Sequence, residues 1–222
     1  MNQSIWGIAL FSLATAAVAT MLALPVAVAL GWLLSRRSFT GKSFIETVVA
    51  LPLVLPPVAI GLLMLQLLGR ERPLGRMLDA AGIEVVFTWK AVVLAMAVMS
   101  LPLMVMTIRA GFEQVNRRFE AMAATLGASP LRVFGTITLP LARQSVIAGA
   151  LLGFARALGE FGATIVVAGG IPGQSQTLSV AIFNLTEAGR EADANVLMLV
   201  SIFVAFAVLA TANAVLRREQ PR

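Results

Sequence analysis

The 222-residue chain contains no cysteine and no histidine. A disulfide framework is therefore excluded, and a zinc or iron centre is not expected, since the ligands such sites favour are missing. Charge is also scarce, at 13% of residues. No cluster of carboxylates offers acid–base or metal chemistry, and without histidine there is no imidazole-assisted nucleophile. Gly41-Lys42-Ser43 ends like a phosphate-binding loop, but that loop needs a glycine five positions earlier, where Arg36 stands. No internal repeat or low-complexity tract stands out. Nothing here describes an enzyme.

What the chain has in abundance is apolar surface: 59% hydrophobic residues and a mean hydropathy of +0.89. A soluble domain of this size cannot hide so much, whereas a bilayer solvates it. The net charge of +6 might suggest nucleic acid, but the basic residues sit in short loops between apolar stretches. That is the pattern of membrane topology, and no nucleic-acid partner is expected. The N-terminal run to Ser35 carries no Lys or Arg at its start and far exceeds the h-region of a signal peptide, about 7–15 residues. It is expected to be a retained first span.

Crossing about 30 Å of hydrocarbon takes roughly 20 apolar residues in a helix, which bonds all its backbone groups internally. Five stretches qualify, at about 6–34, 47–69, 91–108, 145–168 and 194–216. The expected fold is thus an all-α integral membrane protein, one transmembrane domain over 1–222 with about five spans. A sixth span or re-entrant segment within the first run is the alternative. Segments 36–46, 109–143 and 217–222 hold eleven Lys and Arg residues, against five on the opposite set. The positive-inside rule makes the eleven-residue side cytoplasmic, with the N-terminus outside and the C-terminus inside.

Some residues break the apolar pattern. Pro52, Pro56 and Pro57 must kink the second span or disrupt its start, and Pro102, beside Ser100, poses the same question in the third. Such disruption is tolerated in lipid where protein or a water-filled path covers the freed carbonyls, so a pathway wall and an ordinary kink both fit. In the fourth span Arg156 and Glu160 share one helix face. They are either a station for an anion or an internal pair that orients helices, and we favour the pair. Gly149, Gly153 and Ala157 form a small-residue row that reads as an assembly surface.

The segment 109–143 is the longest polar interruption. Val115, Phe119, Met122 and Leu126 recur at three- and four-residue steps, as on one helix face. Gly127 supplies a C-cap, and Ser129-Pro130 starts the next short helix. The result is a helix, turn and helix suited to dock into a groove of a soluble protein.

Gly127, followed after nine residues by Ile137-Thr138-Leu139-Pro140, resembles the "EAA" signature of bacterial ABC-importer permeases. The signature glutamate position, six before Gly127, is Ala121, with Glu120 one step earlier and Met122 one step later. Stretches 51–65, 87–110 and 154–178, above all Gly-Glu-Phe-Gly-Ala-Thr at 159–164, are similar to the molybdate branch, with sulfate and thiosulfate permeases as close relatives.

The resemblance implies a type I-like permease fold and a bacterial inner-membrane location. It implies a coupling helix formed by Glu120, Ala121, Met122, Ala123, Leu126 and Gly127 with Ile137, Leu139 and Pro140. It further implies a homodimer of this chain, two ABC ATPase subunits that carry the ATP and Mg, and a periplasmic or extracellular molybdate-binding protein. No cofactor is expected on this chain. Pathway or gate candidates are Pro52, Pro56, Pro57, Ser100, Pro102, Arg156, Glu160 and Thr164. The implied function is alternating-access import of molybdate, with tungstate as a competitor. The alternatives are sulfate or thiosulfate import, or a membrane scaffold that binds a soluble partner through 109–143.

Overall fold

The computed structural model describes residues 5–218, with side chains through Thr211. The basic segment 217–222 counted above lies outside the described side chains. Among the described residues every regular element is helical.

The first run folds as one continuous helix, α1 (Ile5–Arg36). Its 32 residues extend about 48 Å at 1.5 Å per residue, and Pro25 does not interrupt it. No sixth span is formed within it. The third stretch is likewise one helix, α5 (Trp89–Gln114), opened by Thr88, whose side chain accepts the Lys90 N–H. Pro102 is accommodated inside α5 without a break. Both helices, and α12 (Glu191–Arg218), are long and apolar enough to cross a membrane.

The other two expected spans are broken. The second consists of α2 (Lys42–Val54) and α3 (Pro57–Leu68), bent by 114° at Leu55-Pro56. Pro52 lies inside α2, while Pro57 opens α3 at the position where its missing N–H costs nothing. The fourth was expected to run unbroken over 145–168, and it does not. Helix α9 (Arg143–Leu158) stops at Gly159, and a separate short helix, α10 (Gly162–Ala168), follows. On its other side α9 is bent by 72° from the helical segment Pro130–Leu141. The apolar composition runs straight through Gly159-Glu160-Phe161 and so hides the break. With each bent pair counted as one crossing, the structure offers five.

Helix α5 is the central element, packed along α1 on one side and α9 on another. Gly149, Gly153 and Ala157 are buried in this seam. A Cβ on Gly153 would stand 2.4 Å from Met104 Cγ, and one on Gly149 2.7 Å from Ile108 Cγ1. The small-residue row therefore lets α9 approach α5 closely, and the surface it assembles lies within the chain. Of the three unbroken spans α12 is the least enclosed, presenting Leu199, Ile202, Phe203 and Phe206 outward.

Among the described residues the two loop sets gather at opposite ends, as the charge counts group them. At one end Arg109 bridges Glu46 and Glu113, each at 2.7 Å, and Arg117 reaches the Ser35 carbonyl. At the other, the Phe87 N–H bonds the Val167 carbonyl, and Glu84, Lys90 and Gln174 line one recess. A short helix, α4 (Pro73–Ala80), lies within the 70–90 loop at that end.

Candidate functional site

Helix α5 ends at Gln114, and Asn116 caps the next helix by accepting the Arg118 N–H at 3.0 Å. That helix, α6 (Arg117–Thr125), terminates in a left-handed turn: Gly127 has φ +85°. The Gly127 N–H bonds the Ala124 carbonyl and the Ala128 N–H the Ala123 carbonyl, the paired bonds of a Schellman cap. Ser129-Pro130 then opens α7 (Pro130–Val133), which runs through a π-helical stretch (Phe134–Thr138) into α8 (Leu139–Leu141). The helix–turn–helix read from the sequence is present, with the turn at the expected glycine.

Its faces are distributed differently from the apolar stripe. Val115 is not on α6; it caps α5 and is buried. Phe119, Met122 and Leu126 point outward, with Leu126 87% exposed, and Leu131 beyond the turn is equally open. Ala121 and Gly127 are exposed and Ala123 half-buried. Phe134 is half-buried: its ring packs on Trp32 and Phe112, with centroids 5.6 and 6.0 Å away. Leu139 joins the same cluster, Ile137 is half-buried and Pro140 is exposed. Glu120 faces inward, where Arg36 Nη2 lies 2.9 Å from Oε1 and the Thr138 hydroxyl donates to the same oxygen at 2.7 Å. Arg36 and Thr138 escaped the sequence reading. The only signal for them was an arginine at the end of the first apolar run and a threonine within the I-x-L-P string.

The membrane candidates divide in two. Pro57, at the start of α3, meets Gly162, at the start of α10: a Cβ on Gly162 would stand 2.8 Å from Pro57 Cβ. One helical turn on, a Cβ on Gly61 would stand 2.7 Å from the Ala163 carbonyl. The two helix breaks therefore abut, with Pro56 and Pro57 on one side and Glu160 on the other. Glu160 is 1% exposed. Its Oε2 accepts from Arg156 Nη1 at 2.7 Å, and its Oε1 accepts the Ala163 N–H at 2.9 Å. It thus pairs the arginine and satisfies an otherwise orphan backbone donor of α10. Thr164 is fully buried, and its hydroxyl has no partner among the described residues. Ser100 and Pro102 stay within the buried face of α5, where the Ser100 hydroxyl bonds its own helix at Ala97. Pro52 lies inside α2 and is half-buried.

Residues 23–222 match the family of binding-protein-dependent transport system inner membrane components. The chain belongs to this family. It is 46% identical over 202 residues to the molybdenum transport system permease protein ModB of Escherichia coli K12, covering 90% of this chain and 88% of that one. It is 43% identical to ModB of Haemophilus influenzae, covering 95% and 93%. These relatives are transport permeases. Among solved structures, a chain of a bacterial ABC transporter that imports the acidic polysaccharide alginate superposes with a TM-score of 0.76. That match covers 99% of this chain and 82% of that one, at 17% identity, and shows a shared ABC-importer permease fold. The chain is a multi-pass inner-membrane permease.

Proposed function

We propose that this permease is the membrane-spanning subunit of an ATP-driven importer that moves molybdate, with tungstate as a competitor, into the cytoplasm by alternating access. The ModB proteins it resembles are named for molybdenum transport, and the resemblance extends over nearly the whole chain. The observation that carries the ATP-driven part is the outward ridge of Phe119, Met122 and Leu126, on a helix whose opposite face is pinned by Glu120. A solvent-facing apolar ridge on a tethered helix is what a groove in a soluble partner accepts.

In this reading the partner is an ABC ATPase, two copies of which bind ATP and Mg and close together on hydrolysis cycles. Two copies of this chain enclose the path, and the exposed apolar faces of α2 and α12 supply surface for a second copy and for lipid. A periplasmic or extracellular binding protein delivers the oxyanion. We take the 109–143 end as cytoplasmic and the N-terminus as outside, the orientation that the basic-residue count favours. The abutting breaks at Pro56-Pro57 and Gly159–Phe161 form part of the wall that moves when the path switches sides. There, helix ends rather than a continuous hydrogen-bonded rod meet. Arg156 is neutralised by Glu160, so we assign the pair to holding that wall and not to carrying the anion.

Uptake by proteoliposomes containing the permease, its co-purified ATPase and the binding protein tests this. The expected result is ATP-dependent molybdate accumulation, inhibited by tungstate and little affected by sulfate. Dominant inhibition by sulfate would move the assignment to the sulfate branch. Absence of any ATP-dependent uptake would leave only a scaffold.

A further inference from the structure

Two arginines tie α6 to the first membrane helix, Arg117 from α6 and Arg36 from α1, and only Arg36 also holds the joint between α5 and α6. Arg36 is the last residue of α1, and its side chain is only 8% exposed. Its Nη2 lies 2.9 Å from Glu120 Oε1 on α6 and donates to the Val115 carbonyl, at the joint between α5 and α6, at 3.1 Å. The same carboxylate oxygen takes the Thr138 hydroxyl. One residue before Arg36, the Ser35 carbonyl accepts from Arg117, the first residue of α6. Thr138 is buried and reaches Glu120 from the π-helical stretch, the local widening that re-aims side chains in a helix. The Trp32–Phe134–Phe112 ring cluster sits alongside. Helix α6 also packs against α7 and the π-helical stretch.

We infer that Arg36 is a positioning residue for coupling: through Glu120 it makes α6 move with α1. A displacement of the docked partner is then delivered to the first membrane helix as well as to α5 and α9. The physical basis is directional. A guanidinium holding a carboxylate on one element and a carbonyl on another resists both stretch and rotation, because its donors lie in a fixed fork. This inference rests on α6 being the docking helix, and it names the residue through which docking acts.

The test uses the complete reconstituted importer and reads three quantities: ATPase capture, ATP hydrolysis, and molybdate transported per ATP. Arg36→Met keeps the stem of the side chain and removes the fork. The expected result is normal capture and hydrolysis, with transport per ATP lowered about 2- to 30-fold, the range typical of residues along a coupling route. The double variant Arg36→Met/Glu120→Met removes the carboxylate left unpaired, and is expected to stay uncoupled. Restoration of the ratio in the double variant would overturn the inference, because Arg36 would then serve only to neutralise Glu120. An unchanged ratio in Arg36→Met would overturn it too, as would loss of ATPase capture, which would make Arg36 part of the docking surface. Should Arg36→Met not assemble, the double variant alone decides on the same ratio. Failure of the docking reading itself shows separately, as a wild-type chain that captures no ATPase.

Discussion

Gly127 turns the chain between α6 and α7 at φ +85°, with nothing within 4 Å of where a Cβ would lie. A side chain there meets no clash, so the penalty of substitution is backbone strain of about 1–2 kcal/mol, plus whatever the side chain does to a docking partner. Gly127→Asn, which tolerates the left-handed region, is expected to keep most transport. Gly127→Asp, with a charge beside the Leu126 ridge, is expected to insert normally and lose transport. Vesicle uptake against immunoblotted membrane levels separates these outcomes. Glu160 gives a sharper case. Arg156→Ala leaves a buried carboxylate unpaired, an effect of about 3–5 kcal/mol, and should lower the yield of assembled protein. Because Glu160 also accepts the Ala163 N–H, rescue by Glu160→Gln, a neutral acceptor, should exceed rescue by Glu160→Ala. Thermal unfolding in detergent ranks the three. Equal rescue would mean that the backbone bond adds nothing.

The helices themselves were legible to different degrees. Unbroken apolar runs such as 91–108 announce themselves, because lipid demands a long, internally bonded helix, and α5 formed as expected. The break in the second span was readable from Pro56-Pro57. The break after α9 was not, since Gly159-Glu160-Phe161 interrupts hydrogen bonding without interrupting hydropathy. The helix–turn–helix within 109–143 was legible in its turn, Gly127, but not in its inward face. The partners Arg36 and Glu120 are far apart in the chain, and no periodicity links them. The stripe over Val115 to Leu126 placed Val115 on the wrong element for the same reason: local spacing does not reveal where α5 stops. At the contact between α3 and α10, a methyl group at Gly61 would approach the Ala163 carbonyl to 2.7 Å. Gly61→Ala is therefore expected to cost about 1–3 kcal/mol and lower the melting temperature in detergent. Gly135→Ala, where nothing lies within 4 Å and the backbone is not left-handed, is the uncrowded control and should leave the α3–α10 packing intact.

Taken as a whole, the molecule places a polar, tethered helix–turn–helix at one end of a bundle centred on α5, with two abutting helix breaks on the bundle's flank. The first reads as the handle by which an engine moves the second. Family membership, fold and substrate assignment follow from chain-long similarity, but the direction of transport depends on which way the handle faces. Because the natural chain has no cysteine, a single Met122→Cys provides a clean reporter. A membrane-impermeant maleimide applied to intact cells should leave it unlabelled. The same reagent should label it in inside-out vesicles stripped of ATPase, and rebinding of the ATPase should protect it. Labelling of Cys at 122 from the outside of intact cells would contradict the account.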